Sequence, residues 1–300
     1  MLPESTIYLA GPTASGKSAL ALEMAEQVKG EIVNADAFQL YQGLDVITAK
    51  PSSSDVARVP HHLYSVLALT EACDAQRYHD LARPVIEEIA SRGKTPLVVG
   101  GSGLYLKALT HGLAPLPQGD TAMREKLRER PLEDKVAELL SLDPAAARTV
   151  NLRNPRYVER ALEICLLTGQ PQSELRQSFQ NAQPKVRGIV LNWERETLCH
   201  RIEARTRQML VSGALEEVAA LGDVSITACK AIGLREIRDH LEGRLTLQQT
   251  TEAITIATRQ YAKRQATWFR RETCYQTICL DSSSTAQSPL ESALHLISSF

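Results

Sequence analysis

The residues Gly11-Pro12-Thr13-Ala14-Ser15-Gly16-Lys17-Ser18 follow the pattern Gly, four residues, Gly-Lys-Ser, the spacing with which a loop closes around a phosphate. The apolar run Ile7-Tyr8-Leu9-Ala10 before them predicts a short buried strand, and Ala19–Glu26 after them predicts a helix. In a strand–loop–helix, the loop N–H groups and the helix N-terminus aim at one point, which suits an anion. Lys17 would reach a terminal phosphate, and the Ser18 hydroxyl would bind Mg²⁺. The pattern implies a diphosphate or triphosphate with Mg²⁺. It leaves open whether the ligand is ATP and which reaction follows.

Three other places carry chemistry. Asp36 follows the apolar run Glu31–Ala35 and is open to three roles: Mg²⁺ ligand, general base or loop cap. Gly100-Gly101-Ser102-Gly103 closes another apolar run, either as a second anion cradle at a helix start or as a tight turn that needs glycine. From Thr258 to Arg271 there are five positive charges and no negative one. Arg259, Lys263 and Arg270 share one helical stripe, and Ala257, Tyr261 and Trp268 share a face that can pack inward. Such a stripe is either a solvated face or a surface for phosphates of substrate or nucleic acid. Arg153, Arg156 and Arg160 form a second basic cluster.

The elements that must position these residues alternate. The helix that begins at Ala19 ends near Gly30, which is read as its cap. A helix capped by Asp74 runs to about Arg92, with Tyr78, Leu81, Val85, Ile86 and Ile89 on its apolar face and Pro84 as a kink. Pro96-Leu97-Val98-Val99 is a third strand. The alternation predicts an α/β fold, a phosphate-loop NTPase-like parallel sheet flanked by helices, with ligands at the carboxyl ends of the strands. The phosphate loop, Asp36 and Ser102 all lie at such ends. Residues 1–111 are the first part of this core. Pro115 and Pro117 mark a boundary, and 112–184 reads as an all-helical insertion with helix starts at Asp143-Pro144 and Asn154-Pro155 and a stop at Gly169. Residues 185–300 return to the core with the strand Val186–Leu191, helices over 196–212 and 247–271, and an edge strand at Thr277–Leu280.

Composition adds bounds. The 300 residues carry a net charge of −1, so only local clusters can draw a polyanion. The six Cys show no metal-like spacing and read as reduced thiols. No apolar run reaches membrane-spanning length, and a cytoplasmic monomer is expected.

Several segments together resemble the tRNA dimethylallyltransferases (tRNA isopentenyltransferases): Gly11–Ser18, Asn34–Tyr41, Thr48–Pro51, Pro60–Leu63, Val99–Tyr105, Arg160–Glu163, Ala231–Gly233 with Arg235-Glu236, and Thr258–Gln265 with Trp268. The resemblance implies Mg²⁺-dependent transfer of a dimethylallyl group from dimethylallyl diphosphate to N6 of the adenosine 3′ of the anticodon, within a tRNA anticodon stem-loop. It implies that Gly11, Thr13, Ala14, Ser15, Gly16, Lys17 and Ser18 hold the donor diphosphate, with Arg235 near the diphosphate or the anticodon loop. It makes Asp36 the acceptor of the amine proton, with Ser102 and Lys17 beside it at the reacting centre. Asp36, Ala37, Phe38, Gln39, Ser102, Arg124, Arg156, Tyr157, Val158, Glu159, Arg160, Arg259 and Lys263 are then expected to meet tRNA. Phe38 and Tyr105 are expected to stack on bases. Ala37, Ile47, Ser102 and Leu234 depart from the family's usual Ser, Gly, Thr and Tyr. Ile47 puts the loop geometry there in question, because positive φ is costly for it. Two alternatives use the same loop: prenyl transfer to free AMP, ADP or ATP, and a small-molecule kinase. The first needs no helical insertion, and the second leaves Pro60-His61-His62 unexplained.

Overall fold

The computed structural model describes all residues except 1, 114, 115, 118, 178–185, 281–287 and 300. Six parallel strands are found among them: β1 (Ile7–Ala10), β2 (Gly30–Asn34), β3 (His61–His62), β4 (Thr95–Gly100), β5 (Arg187–Asn192) and β6 (Tyr275–Cys279). Their spatial order is β3-β2-β4-β1-β5-β6. β1 is central and wholly apolar, with Leu9 in register with Val99 on one side and Ile189 on the other. A strand covered on both faces has no solvent side to alternate toward, hence the continuous apolar run. Leu9, Met24, Ile32, Leu97 and Ile189 form the centre of the core, closed by Ala293 and Ile297 of the helix Pro289–Ser298. Each of these Leu, Ile and Met side chains contributes about 1.5–3 kcal/mol on burial.

Gly30 is not the cap of the first helix. The helix Lys17–Val28 ends on Lys29 at φ 52, and Gly30 is already the first residue of β2. Its glycine is needed for close packing, since a Cβ there would stand 2.7 Å from the Thr95 carbonyl oxygen. The helix Ala75–Ser91 starts at Asp74, whose carboxylate accepts from the Arg77 N–H, and it continues through Pro84.

The chain forms two compact units, residues 1–110 with 184–300, and residues 111–183. Pro115 and the end of the expected insertion lie outside the described residues. The second unit is built of the helices Thr121–Arg128, Leu132–Leu142, Ala146–Thr149, Pro155–Thr168 and Gln172–Gln177. Leu127, Leu139, Val158, Ala161 and Leu162 form its core. Asn154 caps the helix it was expected to start, and Gly169 ends it at φ 67. Asp143 does not start a helix. It ends one, and its buried carboxylate accepts from the Ser173 N–H (2.8 Å) and hydroxyl (2.6 Å).

In the first unit, the expected helices are found at Arg195–Val211 and Leu247–Phe269, and β6 is an edge strand. Between them lie two short helices that the sequence reading missed, Ala214–Ala219 and Leu234–Leu241. The motif His61-His62 is structural in part. His62 Nε2 lies 2.7 Å from Glu31 Oε2, and Arg92 donates to both oxygens of the same buried carboxylate. Burial pushes the Glu31 pKa up, and these partners outweigh it and hold the group below its ordinary value. The pair fixes edge strand β3 to β2.

Candidate active site

The carboxyl ends of β1, β2 and β4 meet at one place. The phosphate loop leaves β1 with Ala14 in the left-handed region at φ 64 and Gly16 at φ 90. For alanine that conformation is strained and persists only where neighbours over-determine it. They do so here. Arg201 Nε donates to the Ala14 carbonyl (2.8 Å), Trp193 Nε1 donates to the Ser15 carbonyl (2.8 Å), and the Arg201 guanidinium stacks on the Trp193 ring at 4.6 Å. The Thr13 N–H donates to Gln265 Oε1 (2.8 Å), while Gln265 Nε2 donates to the Gly101 carbonyl (2.9 Å). Thr13 therefore spends its amide on the fold. Ser15 Oγ is buried and has no partner among the described residues.

Asp36 is held as tightly. Asn34, fully buried, accepts from the Asp36 N–H (2.8 Å) and donates to the Asp36 and Leu63 carbonyls (3.1 and 2.9 Å). Asp36 Oδ1 accepts from the Phe38 N–H at 3.0 Å, a turn that fixes the carboxylate. Ser102 Oγ accepts from the Ala37 N–H at 2.9 Å, and the Ser102 N–H donates to the Ala35 carbonyl at 3.2 Å. The Gly100–Gly103 segment is thus the tight turn rather than a second anion cradle. A Cβ on Gly100 would fall 2.1 Å from the Ala35 carbonyl oxygen, so no side chain fits where β4 passes β2. Ser102 is a support for Asp36, one residue removed.

A cavity of about 530 Å³ opens on this cluster, lined by Thr13, Lys17, Ser18, Asp36, Gln39, His61, Arg201 and Arg205, among others. A smaller pocket of about 60 Å³ shares Thr13, Asp36, Thr48 and Arg205 with it and adds Phe38, Ile47, Ile202, Met209, Ile254 and Tyr261. One side is cationic, the other mostly apolar, and Asp36 faces both. Burial pulls the Lys17 pKa down to about 8, with Asp36 raising it and Arg205 lowering it further. Arg205 Nη1 donates to Thr13 Oγ1 (2.8 Å) and Nη2 to the Thr48 carbonyl (3.4 Å). Burial lowers the Arg205 pKa and Asp36 raises it. The Tyr261 hydroxyl is pushed up by burial and by Asp36. Lys17 and Arg205 beside the Asp36 carboxylate, with an apolar wall, can hold a diphosphate and place an uncharged group against a base.

Arg201, Arg205, Trp193 and Gln265 were not among the site residues expected from the sequence. A usable signal existed for two of them: Arg201 and Arg205 are four apart on one helix and so share a face. Other expected residues stand elsewhere. Arg235 lines neither cavity. Its side chain is 84% exposed, and Asp239 lies 4.0 Å away. Tyr105 is 6% exposed and stacks on Tyr78 at 4.2 Å, so it is core and no base can reach it. Gln39 donates to the Thr48 and Ala49 carbonyls (both 3.0 Å), holding a loop. Ile47 carries no positive φ. The left-handed residue of that loop is Ala49 at φ 50, and Ile47 is buried instead. Arg259 and Lys263 are exposed, with Arg259 3.5 Å from Glu203.

In the second unit, Glu163 is fully buried and accepts from Arg124 Nε (2.9 Å), Arg160 Nη1 (2.6 Å) and the Asp120 N–H (2.8 Å). Glu159 pairs with buried Lys135 at 2.7 Å. Val158 is fully buried in that unit's core and offers nothing to a ligand. Arg153, Arg156 and Tyr157 are the exposed members of the cluster.

Comparisons with known proteins agree with this arrangement. The chain is 44% identical over 267 residues to a tRNA dimethylallyltransferase of Akkermansia muciniphila, spanning 89% of this chain and 90% of that one. It is 42% identical over 276 residues to one of Geobacter metallireducens, spanning 89% of each. Among solved structures it is similar to the tRNA isopentenylpyrophosphate transferase of Bacillus halodurans, with a TM-score of 0.70, 31% identity and coverage of 99% and 95%. It is also similar to a eukaryotic dimethylallyltransferase acting on tRNA, with a TM-score of 0.78, 26% identity and coverage of 92% and 74%. A family model described as IPP transferase matches residues 39–272. With sheet, phosphate loop and sequence in agreement, the chain belongs to the IPP transferase family.

Proposed function

We propose that this chain transfers a dimethylallyl group from dimethylallyl diphosphate to the exocyclic N6 of an adenosine in tRNA, 3′ of the anticodon, with release of diphosphate. The observation that carries the reading is one carboxylate, Asp36, shared by a cation-lined cavity and a small apolar pocket. The named activities of the relatives, all on tRNA, favour this acceptor over a free nucleotide.

The chemistry suits the residues. Adenine N6 is a poor nucleophile because its lone pair is delocalised into the ring, so both ends of the reaction need help. The allylic C1–O bond breaks as the N6–C1 bond forms, and the amine proton passes to Asp36. Lys17, Arg205 and the loop N–H groups stabilise the charge that gathers on the departing diphosphate. Asp36, already anchored through Asn34 and Phe38, holds its base in place without reorganisation. The adenosine must leave its stack to reach it, and Phe38 and Tyr261 flank the space it would enter.

Mg²⁺ fits as an ion carried largely by the substrate. Ser18 and Asp36 offer oxygens at the cavity, and the one cluster of three candidate ligand side chains found among the described residues does not include them. Mg²⁺ commonly takes one or two carboxylates with substrate phosphates and waters. Bound there, it would neutralise the diphosphate. The Ser15 hydroxyl is buried beside Gly11 and lines neither cavity, so the diphosphate contacts of the loop fall to its other members.

The test is transfer of label from dimethylallyl diphosphate, with tRNA or AMP offered as acceptor. Label in tRNA and not AMP is expected. Calorimetry in Mg²⁺ should show dimethylallyl diphosphate binding tighter than ATP. Tight ATP binding with hydrolysis would replace the reading with a kinase.

A further inference from the structure

A carboxylate outside both cavities holds the loop that forms part of their common wall. Glu217, on the helix Ala214–Ala219, accepts from three successive backbone amides: Asp45 N–H (2.8 Å), Val46 N–H (2.6 Å) and Ile47 N–H (3.0 Å). These amides open a turn in which the Ala49 N–H donates to the Val46 carbonyl, the Lys50 N–H to the Asp45 carbonyl, and the Thr48 hydroxyl to the Leu44 carbonyl. Glu217 therefore does for this turn what an N-cap does for a helix, but from a segment about 170 residues away. Charge-assisted bonds of this kind are about twice as strong as neutral ones.

What the turn presents matters more than the turn. Ile47 and Thr48 line the small pocket beside Asp36. The Thr48 and Ala49 carbonyls hold Gln39, and the Thr48 carbonyl is one of the two fixed points of Arg205. Loss of the carboxylate would leave three amides without partners at the turn's start and free the carbonyls at its end. Arg205 would keep only Thr13.

We propose that Glu217 is a positioning residue for the transfer reaction: by holding the 45–47 amides it sets the Ile47–Thr48 wall against Asp36 and fixes Arg205 over the diphosphate. This rests on the function proposed above. Glu217→Gln keeps the size, loses the charge and turns an NH₂ toward an N–H donor.

The experiment compares wild type, Glu217→Gln, Arg205→Lys and the double variant in single-turnover prenyl transfer to tRNA, with amide hydrogen exchange on each. The expected loss for Glu217→Gln is about 10- to 100-fold, the scale of an ångström-sized misplacement. It should fall on kcat more than on the donor KM, because Lys17 and the phosphate loop are untouched. Exchange should quicken at Asp45, Val46 and Ile47 while β1 and β4 amides stay protected. Acting through Arg205, the two losses should combine to less than their product. A variant within about threefold of wild type, losses that multiply fully, or unchanged exchange at the three amides would overturn the proposal. A general loss of stability is excluded by unchanged exchange in β1 and β4. If wild type transfers nothing to tRNA, the function fails instead, and the exchange data still report whether Glu217 anchors the loop.

Discussion

The buried ion pairs of the helical unit and the cavity at the phosphate loop treat their arginines and lysines in opposite ways. In the helical unit, Arg124 and Arg160 converge on buried Glu163, and Lys135 meets Glu159. Each of these three cations is answered within the unit, and removing its partner would cost stability. At the phosphate-loop cavity, Lys17 and Arg205 share a single carboxylate, Asp36, at longer range. That site carries a surplus of positive charge in a buried place, and burial first, then Arg205, pulls the Lys17 pKa down against the pull of Asp36. A charged residue conforming to a motif is thus functional where its charge is left over, and structural where a buried partner consumes it. By that measure Arg153 and Arg156, exposed and with no salt bridge among the described residues, offer a polyanion more of the cluster's charge than Arg124 and Arg160 do.

The largest expected effect lies on the surplus side. Asp36→Asn keeps the shape and removes the base. Single-turnover transfer should fall about 10²- to 10⁴-fold, while dissociation constants for donor and tRNA stay within about tenfold. A fall in donor affinity that extra Mg²⁺ restores would instead make Asp36 chiefly a metal ligand. Near-normal turnover would return it to a loop cap.

On the neutralised side, Glu163→Ala leaves two guanidinium groups without their buried carboxylate. Breaking a buried pair costs about 3–5 kcal/mol, measurable by denaturant unfolding. Donor binding should survive, since the phosphate-loop unit holds its own core. A change below about 1 kcal/mol would mean that solvent screens the pair as on an ordinary surface.

The Lys17 charge sharpens the contrast. With a pKa of about 8 in the free protein, Lys17 is cationic below that pH and neutral above it. The kcat/KM for donor should therefore fall above pH 8, approaching tenfold per unit. In Lys17→Arg, whose guanidinium stays charged, the high-pH limb should vanish even if the rate is lower.

The smallest effect separates the two kinds of arginine within one unit. Arg153→Ala with Arg156→Ala should flatten the salt dependence of tRNA affinity by up to about 1.4, at roughly 0.7 per contact on single strands. Arg124→Ala should leave that slope alone and lower stability instead. Equal slopes for both variants would erase the distinction.

Most of the sheet was legible because period and punctuation coincide there: short apolar runs, each closed by glycine or a polar cap. The phosphate loop and Asp36 were legible because type and spacing are local. Arg205 was legible only in part: its spacing puts it on one face with Arg201, but Glu203 and Arg207 beside it form an ordinary solvent-side pair, and nothing along the chain says which face turns inward. Tyr105 erred in the other direction. Its motif suggested a stacking platform, but the apolar face of its helix carried it into the core against Tyr78. Val158 failed for the same reason, being an apolar residue in a basic run whose helical period points it inward. Glu163 was readable in principle, as an acid inside the apolar run Ala161–Cys165 with Arg160 three residues before it, but its other partners, Arg124 and the Asp120 N–H, come from about 40 residues away.

The strand order has a consequence for birth on the ribosome. Central β1 takes its two neighbours from β4 and β5, and the helical unit of residues 111–183 is encoded between them. At roughly 5–20 residues per second, that unit takes about 4–15 s to emerge. Throughout that time one edge of the most apolar strand in the molecule has no partner. The nascent chain is most open to misassociation in this interval, and a chaperone that grips exposed strand edges would find its substrate there.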